Sequence, residues 1–169
     1  MVATEIKVRG YHLDQHGHVN NVRYMEFLEE ARYNLLDPHS ELLLAWKEKG
    51  VLLFIVNINI NYAQPAFLGD ILKIETGISK IGHKSGIIHQ EIRKKGADTP
   101  IIDADVTFVA MNTHTGKAMP FEAELHSGVQ VIAGDRNTDE TTPYKKTISA
   151  GSGANPRGTF PRSHPRTGR

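Results

Sequence analysis

Asp14 stands seven residues ahead of an expected helix start, in the run Asp14-Gln-His-Gly-His18-Val-Asn20-Asn21, and that order of groups suits the hydrolysis of an acyl bond. Asn is among the best N-cap residues because its side-chain oxygen accepts from the unpaired amides of a first helical turn. Asn20 and Asn21 both stand where such a cap belongs. Amides left free beyond the cap, with the positive end of the helix dipole, polarise a carbonyl such as that of a thioester and hold the oxyanion formed on attack. Asp14 is then the attacking carboxylate or the base that draws a proton from water.

The helix that carries these amides is legible. Tyr24, Phe27, Leu28, Ala31 and Leu35 recur at one face, Glu26, Glu30, Tyr33 and Asn34 fall mostly on the other, and Pro38 ends the run. Ser40 is placed to cap a short second helix bearing Leu42, Leu43, Leu44 and Trp46, closed by Gly50. Strands follow. Leu52, Phe54, Val56, Ile58, Ile60 and Tyr62 alternate with Leu53, Ile55, Asn57, Asn59 and Asn61, which predicts one continuous apolar face and a second face that turns to Asn halfway. Further strands are expected over 71–81, with Leu72, Ile74, Thr76 and Ile78 on one face, over 86–94 with Ile88 and Ile92, and over 101–112 with Ile102, Ala104, Val106, Phe108 and Ala110. Met1 to Gly10 is charged and strand-like. One long helix followed by strands on short turns predicts an α+β domain, an antiparallel sheet wrapped around that helix.

The phrases 6–14 (Ile6-Lys-Val-Arg-Gly-Tyr-His-Leu-Asp14), His18-Val-Asn-Asn21, Tyr24-Met-Glu-Phe-Leu-Glu-Glu-Ala-Arg32, Phe54-Ile-Val-Asn-Ile-Asn-Ile-Asn-Tyr62 and Lys84-Ser-Gly86 resemble the hotdog-fold acyl-CoA thioesterases of the 4-hydroxybenzoyl-CoA thioesterase type. They look most like the bacterial long-chain acyl-CoA thioesterase III group. The resemblance covers roughly residues 1–132. It implies an acyl-CoA thioesterase acting on medium- to long-chain fatty acyl-CoA without metal or organic cofactor. In it Asp14 takes the carboxylate role and the Asn21 backbone amide the oxyanion role, with His18 and Asn20 in support. It also suggests that the 52–62 strand pairs across a dimer and lines polar parts of the cleft with Asn57 and Asn59, where the alternation alone equally fits a face open to water. Such a domain leaves a sheet edge open, so a homodimer is the least assembly expected and a homotetramer is compatible.

Composition sets further bounds. One domain is expected for 169 residues, and 39% hydrophobic content suffices for a core. The chain has no cysteine, which excludes a disulfide framework, a thiol nucleophile and thiolate metal sites. No apolar run approaches the ~20 residues that span a bilayer, so a cytoplasmic enzyme is expected, with no membrane insertion. Residues 1–133 carry 13 Lys or Arg against 16 Asp or Glu, while 134–169 carry 7 against 3. That basic segment, rich in Asn, Thr, Ser, Gly and Pro, has few apolar residues to repay its ordering. A thioesterase domain over 1–132 and a disordered tail over 133–169 are therefore expected. Arg157, Arg162, Arg166 and Arg169 are too dispersed for a nucleic-acid patch.

Other residues have bland readings beside their chemical ones. His12, Asp14, His16 and His18 would share one side of an extended strand and could ligate a metal, but Gly17 argues for a turn there, so no metal site is expected. Tyr24 is both a stripe residue and a candidate substrate contact. Lys84, with Lys80 and Arg93, is a candidate for the coenzyme A phosphates. Glu29, at the border of the stripe, meets either a partner loop or water. Two other functions stay open: a hotdog hydroxyacyl-thioester dehydratase or hydratase, whose Asp-x-Asn-Pro-x-His pattern is missing, and a non-catalytic acyl-CoA-binding protein, which lacks an accompanying helix-turn-helix.

Overall fold

The computed structural model describes residues 1–134; of the tail expected over 133–169, all but its first two residues lie outside the described residues. Six strands, β1 (Val2–Lys7), β2 (Val51–Tyr62), β3 (Ile71–Ile81), β4 (Gly86–Lys94), β5 (Pro100–Asn112) and β6 (Lys117–Met119), form a sheet in the order β1-β3-β4-β5-β2, with β6 also on β5. Every pairing is antiparallel. The helix α1 (Asn21–Leu36) packs on one face. Its buried residues are Tyr24, Phe27, Leu28, Ala31 and Leu35, the stripe read from the sequence. The first four meet the inward residues Leu72 and Ile74, Ile92, Ile102 and Ala104, on β3, β4 and β5, and Leu35 joins the second half of the core. This is the expected sheet around one helix.

Pro38 sits in a single 3-10 turn (Asp37–His39) that leads straight into α2 (Ser40–Glu48). Ser40 is thus the first residue of α2 and His39 its N-cap, so the capping role expected of Ser40 is not taken up. The preceding turn already sets the direction of the chain.

The continuous apolar face expected for β2 is also corrected. Its register against β5 shifts between Ile55 and Asn57. A bulge inserts one residue and so reverses which parity faces the core. Val51 and Leu53 pack inward before it, and Ile58 and Ile60 pack inward after it. Phe54, Ile55 and Val56 are exposed, on a strand whose second edge carries no neighbour among the described residues.

Two elements went unread in the sequence. β6 pairs with β5 through Ala110 and Met119, beyond the point where β4 begins. After it, α3 (Ala123–Ala133) closes the second half of the core with Leu125, Val129 and Ile132 against Leu35, Trp46 and Phe108. Gly134, at φ 73°, caps it in the left-handed region, so α3 itself runs one residue past 132. A close approach explains Gly128 in mid-helix: a β-carbon there would collide with the Trp46 ring. Gly128→Ala is therefore expected to destabilise the domain by about 1–3 kcal/mol despite the better helix propensity of alanine. A thermal melt lowered by several degrees checks this; an unchanged or raised melt would show that the helices move apart freely.

Candidate active site

The chain from β1 to α1 makes a tight hairpin. Leu13 and Val19 pair as an antiparallel bridge, the Asp14 amide donates to the His18 carbonyl (2.9 Å), and the Gly17 amide donates to the Asp14 carbonyl (3.1 Å). Gly17 has φ 78°, the left-handed residue that closes a three-residue hairpin loop. Asp is favoured at the first position of such a turn because its carboxylate bonds the backbone two residues on. Asp14 Oδ1 accepts from the His16 amide at 2.8 Å. The other oxygen, Oδ2, lies 3.2 Å from His18 Nδ1. Oδ1 is thus held by the turn while Oδ2 faces the His18 ring, and the side chain keeps 20% of its surface open to solvent.

Asn20 sets the helix start. Its Oδ1 accepts from the Val22 amide at 2.9 Å, its carbonyl accepts from the Arg23 amide, and its own amide donates to the His12 carbonyl. Those bonds occupy the Val22 and Arg23 amides and leave the amide of Asn21, the first helical residue, for an incoming acceptor. A second strand end completes the surround. The Val19 amide donates to the Ala66 carbonyl, the Ala66 amide donates to the Tyr24 hydroxyl (3.0 Å), and the Tyr62 hydroxyl donates to the Asn21 carbonyl (3.2 Å). The result is a cleft of about 390 Å³ lined by Asp14, His18, Asn21 and Tyr24 on one side and Tyr62 to Pro65 on the other. It presents a fixed carboxylate, an imidazole in contact with it and the positive end of a sixteen-residue helix. Such a set can activate a nucleophile and stabilise the oxyanion it makes.

The four-residue metal pattern is not assembled. His12 ends a 3-10 turn, is 7% exposed, and packs its ring edge-on to Phe27 while Nδ1 accepts from the Arg9 amide. Burial, and next the charge of Arg23, hold its pKa below the ordinary value and keep it neutral. His16 stacks with His18 on the hairpin, away from that ring. Turn geometry, rather than an extended strand, separates them.

Tyr24 is both core and cleft wall, buried with its hydroxyl spent on Ala66. Asn57 and Asn59 are exposed on β2, opposite Thr107 and Asp105, and lie outside the cleft of their own chain. Lys84 occupies the β3–β4 turn, the far end of an eleven-residue strand and so about 30 Å from the Asp14 end. Lys80 is exposed near that end, whereas Arg93 is committed to Glu75 and Glu91. Tyr62 and the loop 63–65 are cleft residues that sequence reasoning missed, since nothing in their types marks them.

One further grouping escaped the sequence because it spans strands. On the outer face, His89, Glu91 and Asp103 bring ligand-type atoms within 4.8 Å of one another. Arg93 on Glu91 and Asp105 at 3.0 Å from His89 Nδ1 make this an ion-pair network. Burial raises the Glu91 pKa, with the charge of Arg93 opposing it.

Residues 8–129 match the thioesterase-like superfamily. The chain is 43% identical over 127 residues to the long-chain acyl-CoA thioesterase FadM of Escherichia coli (strain K12), covering 75% of this chain and 96% of that protein. The crystal structure of the probable thioesterase YbaW from Escherichia coli superposes with a TM-score of 0.73 at 41% identity, over 79% of this chain and 99% of the other. A 1,4-dihydroxy-2-naphthoyl-CoA thioesterase from Synechocystis, at 20% identity, TM-score 0.67 and coverage of 79% and 95%, shares the fold.

Proposed function

The chain belongs to the thioesterase-like superfamily and is a thioester hydrolase, and we propose that it cleaves medium- to long-chain fatty acyl-CoA to free fatty acid and coenzyme A, with Asp14 as its catalytic carboxylate. The observation that carries this reading is the Asp14 side chain, anchored through Oδ1 by the His16 amide and beside His18, in the wall of the cleft that Asn21 also lines. Similarity to a long-chain acyl-CoA thioesterase over nearly its whole length supports the substrate class. Release of free coenzyme A thiol from palmitoyl-CoA tests it directly, and absence of release from every acyl-CoA tried would sink it.

With the thioester carbonyl at the Asn21 amide, two routes use the same groups. Asp14 attacks the carbonyl carbon, the C–S bond breaks, coenzyme A leaves as thiolate, and water hydrolyses the resulting mixed anhydride. Alternatively water attacks while Asp14 takes its proton, and the same C–S bond breaks. Oxygen-18 from water found in the Asp14 carboxylate after a single turnover would establish the first route, since water opening the anhydride at the Asp14 carbon leaves its oxygen there and the second route never does. His18 orients Asp14, Asn20 sets the helix start, and Tyr24 shapes the wall. No metal or organic cofactor enters either route.

The unpaired edge of β2, with exposed Phe54, Ile55 and Val56, is the surface on which a second copy would add. Asn57, Asn59 and Lys84 lie outside the cleft of their own chain, so a part for them in substrate binding is a part in a partner's cleft. A cytoplasmic setting in fatty acid metabolism goes with this substrate; no helix among the described residues is long and apolar enough to cross a membrane. The shortage of apolar residues in the tail makes it dispensable in this reading. A chain ended at Gly134 is expected to melt within a few degrees of the full chain, sediment as a dimer and retain turnover. A large loss in any of these would place 135–169 within the working unit.

A further inference from the structure

His12 takes no part in the chemistry described above, yet its buried polar side chain touches both segments that build the site. Only 7% of it is exposed. It ends the 3-10 turn Gly10–His12, two residues ahead of Asp14. Its backbone amide donates to the Arg9 carbonyl at 3.0 Å, and its ring Nδ1 accepts from the Arg9 amide at 3.0 Å. The two bonds run in opposite directions between the same two residues, so the side chain closes the turn into a ring. The imidazole then packs edge-on against Phe27 of α1, with 4.8 Å between centroids, and lies 4.3 Å from the Tyr11 ring.

Both reacting groups hang from this turn. The His12 carbonyl accepts from the Asn20 amide at 2.9 Å, and Asn20 is the cap beyond which the Asn21 amide is free. On the other strand of the hairpin, Leu13 pairs with Val19 and leads directly to Asp14. Carboxylate and helix start are therefore placed relative to one another through residue 12. A displacement of ~1 Å in a reacting group can cost about a hundredfold in rate. The Asn20 bond goes to backbone and survives any substitution at 12, but its direction depends on a turn that the side chain closes.

That closure needs an acceptor. A neutral imidazole that accepts at Nδ1 carries its proton on Nε2, whereas the cation would set Nδ1–H against the Arg9 N–H. Burial, and next the charge of Arg23, disfavour the cation; Glu26 opposes them and Arg9 adds to them. We infer, resting on the reading of Asp14 as the catalytic carboxylate, that His12 is a positioning residue for hydrolysis: its ring acceptor holds the Arg9 turn, and the turn holds Asp14 and the Asn21 amide in register.

Two substitutions of similar size test this. His12→Asn keeps an oxygen where Nδ1 stood, and His12→Leu does not. Both should melt lower than the wild type, since each loses the ring against Phe27. In His12→Leu, kcat per folded site is expected to fall roughly tenfold to a hundredfold. KM should stay within about twofold, because His12 does not line the cleft. His12→Asn should keep kcat within about threefold of the wild type, the acceptor being restored. His12→Phe retains an aromatic ring without an acceptor and should match His12→Leu, which covers the case of a leucine variant that does not fold. Exchange of the Arg9 amide proton, followed by NMR, reads the first link without any substrate. It should be at least about tenfold faster in the leucine and phenylalanine variants than in the wild type and the asparagine variant. Equal kcat in the asparagine and acceptor-free variants, a loss carried by KM alone, or unchanged Arg9 exchange would each overturn the role of His12. Asp14→Asn, assayed alongside, separates the two readings: turnover lost there but kept in His12→Leu removes His12 alone, and turnover kept in Asp14→Asn removes the catalytic carboxylate and the positioning role with it.

Discussion

Asp14→Asn is expected to lower kcat for acyl-CoA hydrolysis by roughly a hundredfold to ten-thousandfold, the range lost when a positioned acid–base group is removed. Asparagine is the informative replacement here. Its side-chain oxygen can still accept from the His16 amide, the bond Asp14 Oδ1 makes at 2.8 Å, so the hairpin that places residue 14 survives while the charge is lost. Asp14→Ala loses both and should add a modest stability cost from the broken turn. The comparison matters because Asp at the start of such a turn already has a structural reason to be there. If Asp14→Asn turns over near the wild-type rate while Asp14→Ala fails, Asp14 is a turn former and the carboxylate leaves the mechanism. His18→Gln, which removes the imidazole 3.2 Å from Asp14 Oδ2, should cost less than Asp14→Asn.

Across acyl-CoAs from acetyl to palmitoyl, kcat/KM is expected to climb by about two decades for every four methylenes that become buried. Each contributes up to ~0.8 kcal/mol to transition-state binding, and ~3 kcal/mol is roughly a hundredfold in rate. The climb should stop where the chain outgrows its groove or encounter becomes limiting. Similarity over nearly its whole length to a long-chain acyl-CoA thioesterase motivates this expectation. A flat profile, or 4-hydroxybenzoyl-CoA preferred over every fatty acyl-CoA, would refute the long-chain substrate and leave thioester hydrolysis standing.

Periodicity decided much of the fold in advance. The α1 stripe is five residues at helical spacing, and all five are buried. β5 alternates through Ile102, Ala104, Val106, Phe108 and Ala110, and each of these is buried as well. These readings succeed because one face of each element is packed and the other is wet, so the period of the structure is written in residue type. The Asp14 hairpin and Asn20 cap were legible for another reason: turn and cap chemistry is local, settled by groups two or three residues apart.

Where neighbours from other parts of the chain intervene, the pattern misleads. β2 reads as one unbroken alternation from Leu52 to Tyr62, yet a bulge at Val56, imposed by pairing with β5, exchanges its faces midway. Val56 is accordingly 56% exposed, although it belongs to the apolar series. α3 was invisible because its packing surface is short and its partners, Trp46 and Phe108, come from distant segments. Gly128 looks like a helix breaker until the Trp46 ring is seen against it.

By itself, the sequence determined the helix, the antiparallel strands, the carboxylate ahead of the helix start and the family likeness, all of which rest on short-range spacing. Tertiary structure alone decided that Tyr62 and the 63–65 loop close the cleft, that His12 is core rather than ligand, and that Arg32 borders an apolar cavity. Those outcomes depend on contacts between residues tens of positions apart. No periodicity encodes such a contact, because its energy comes from the packing of both partners at once.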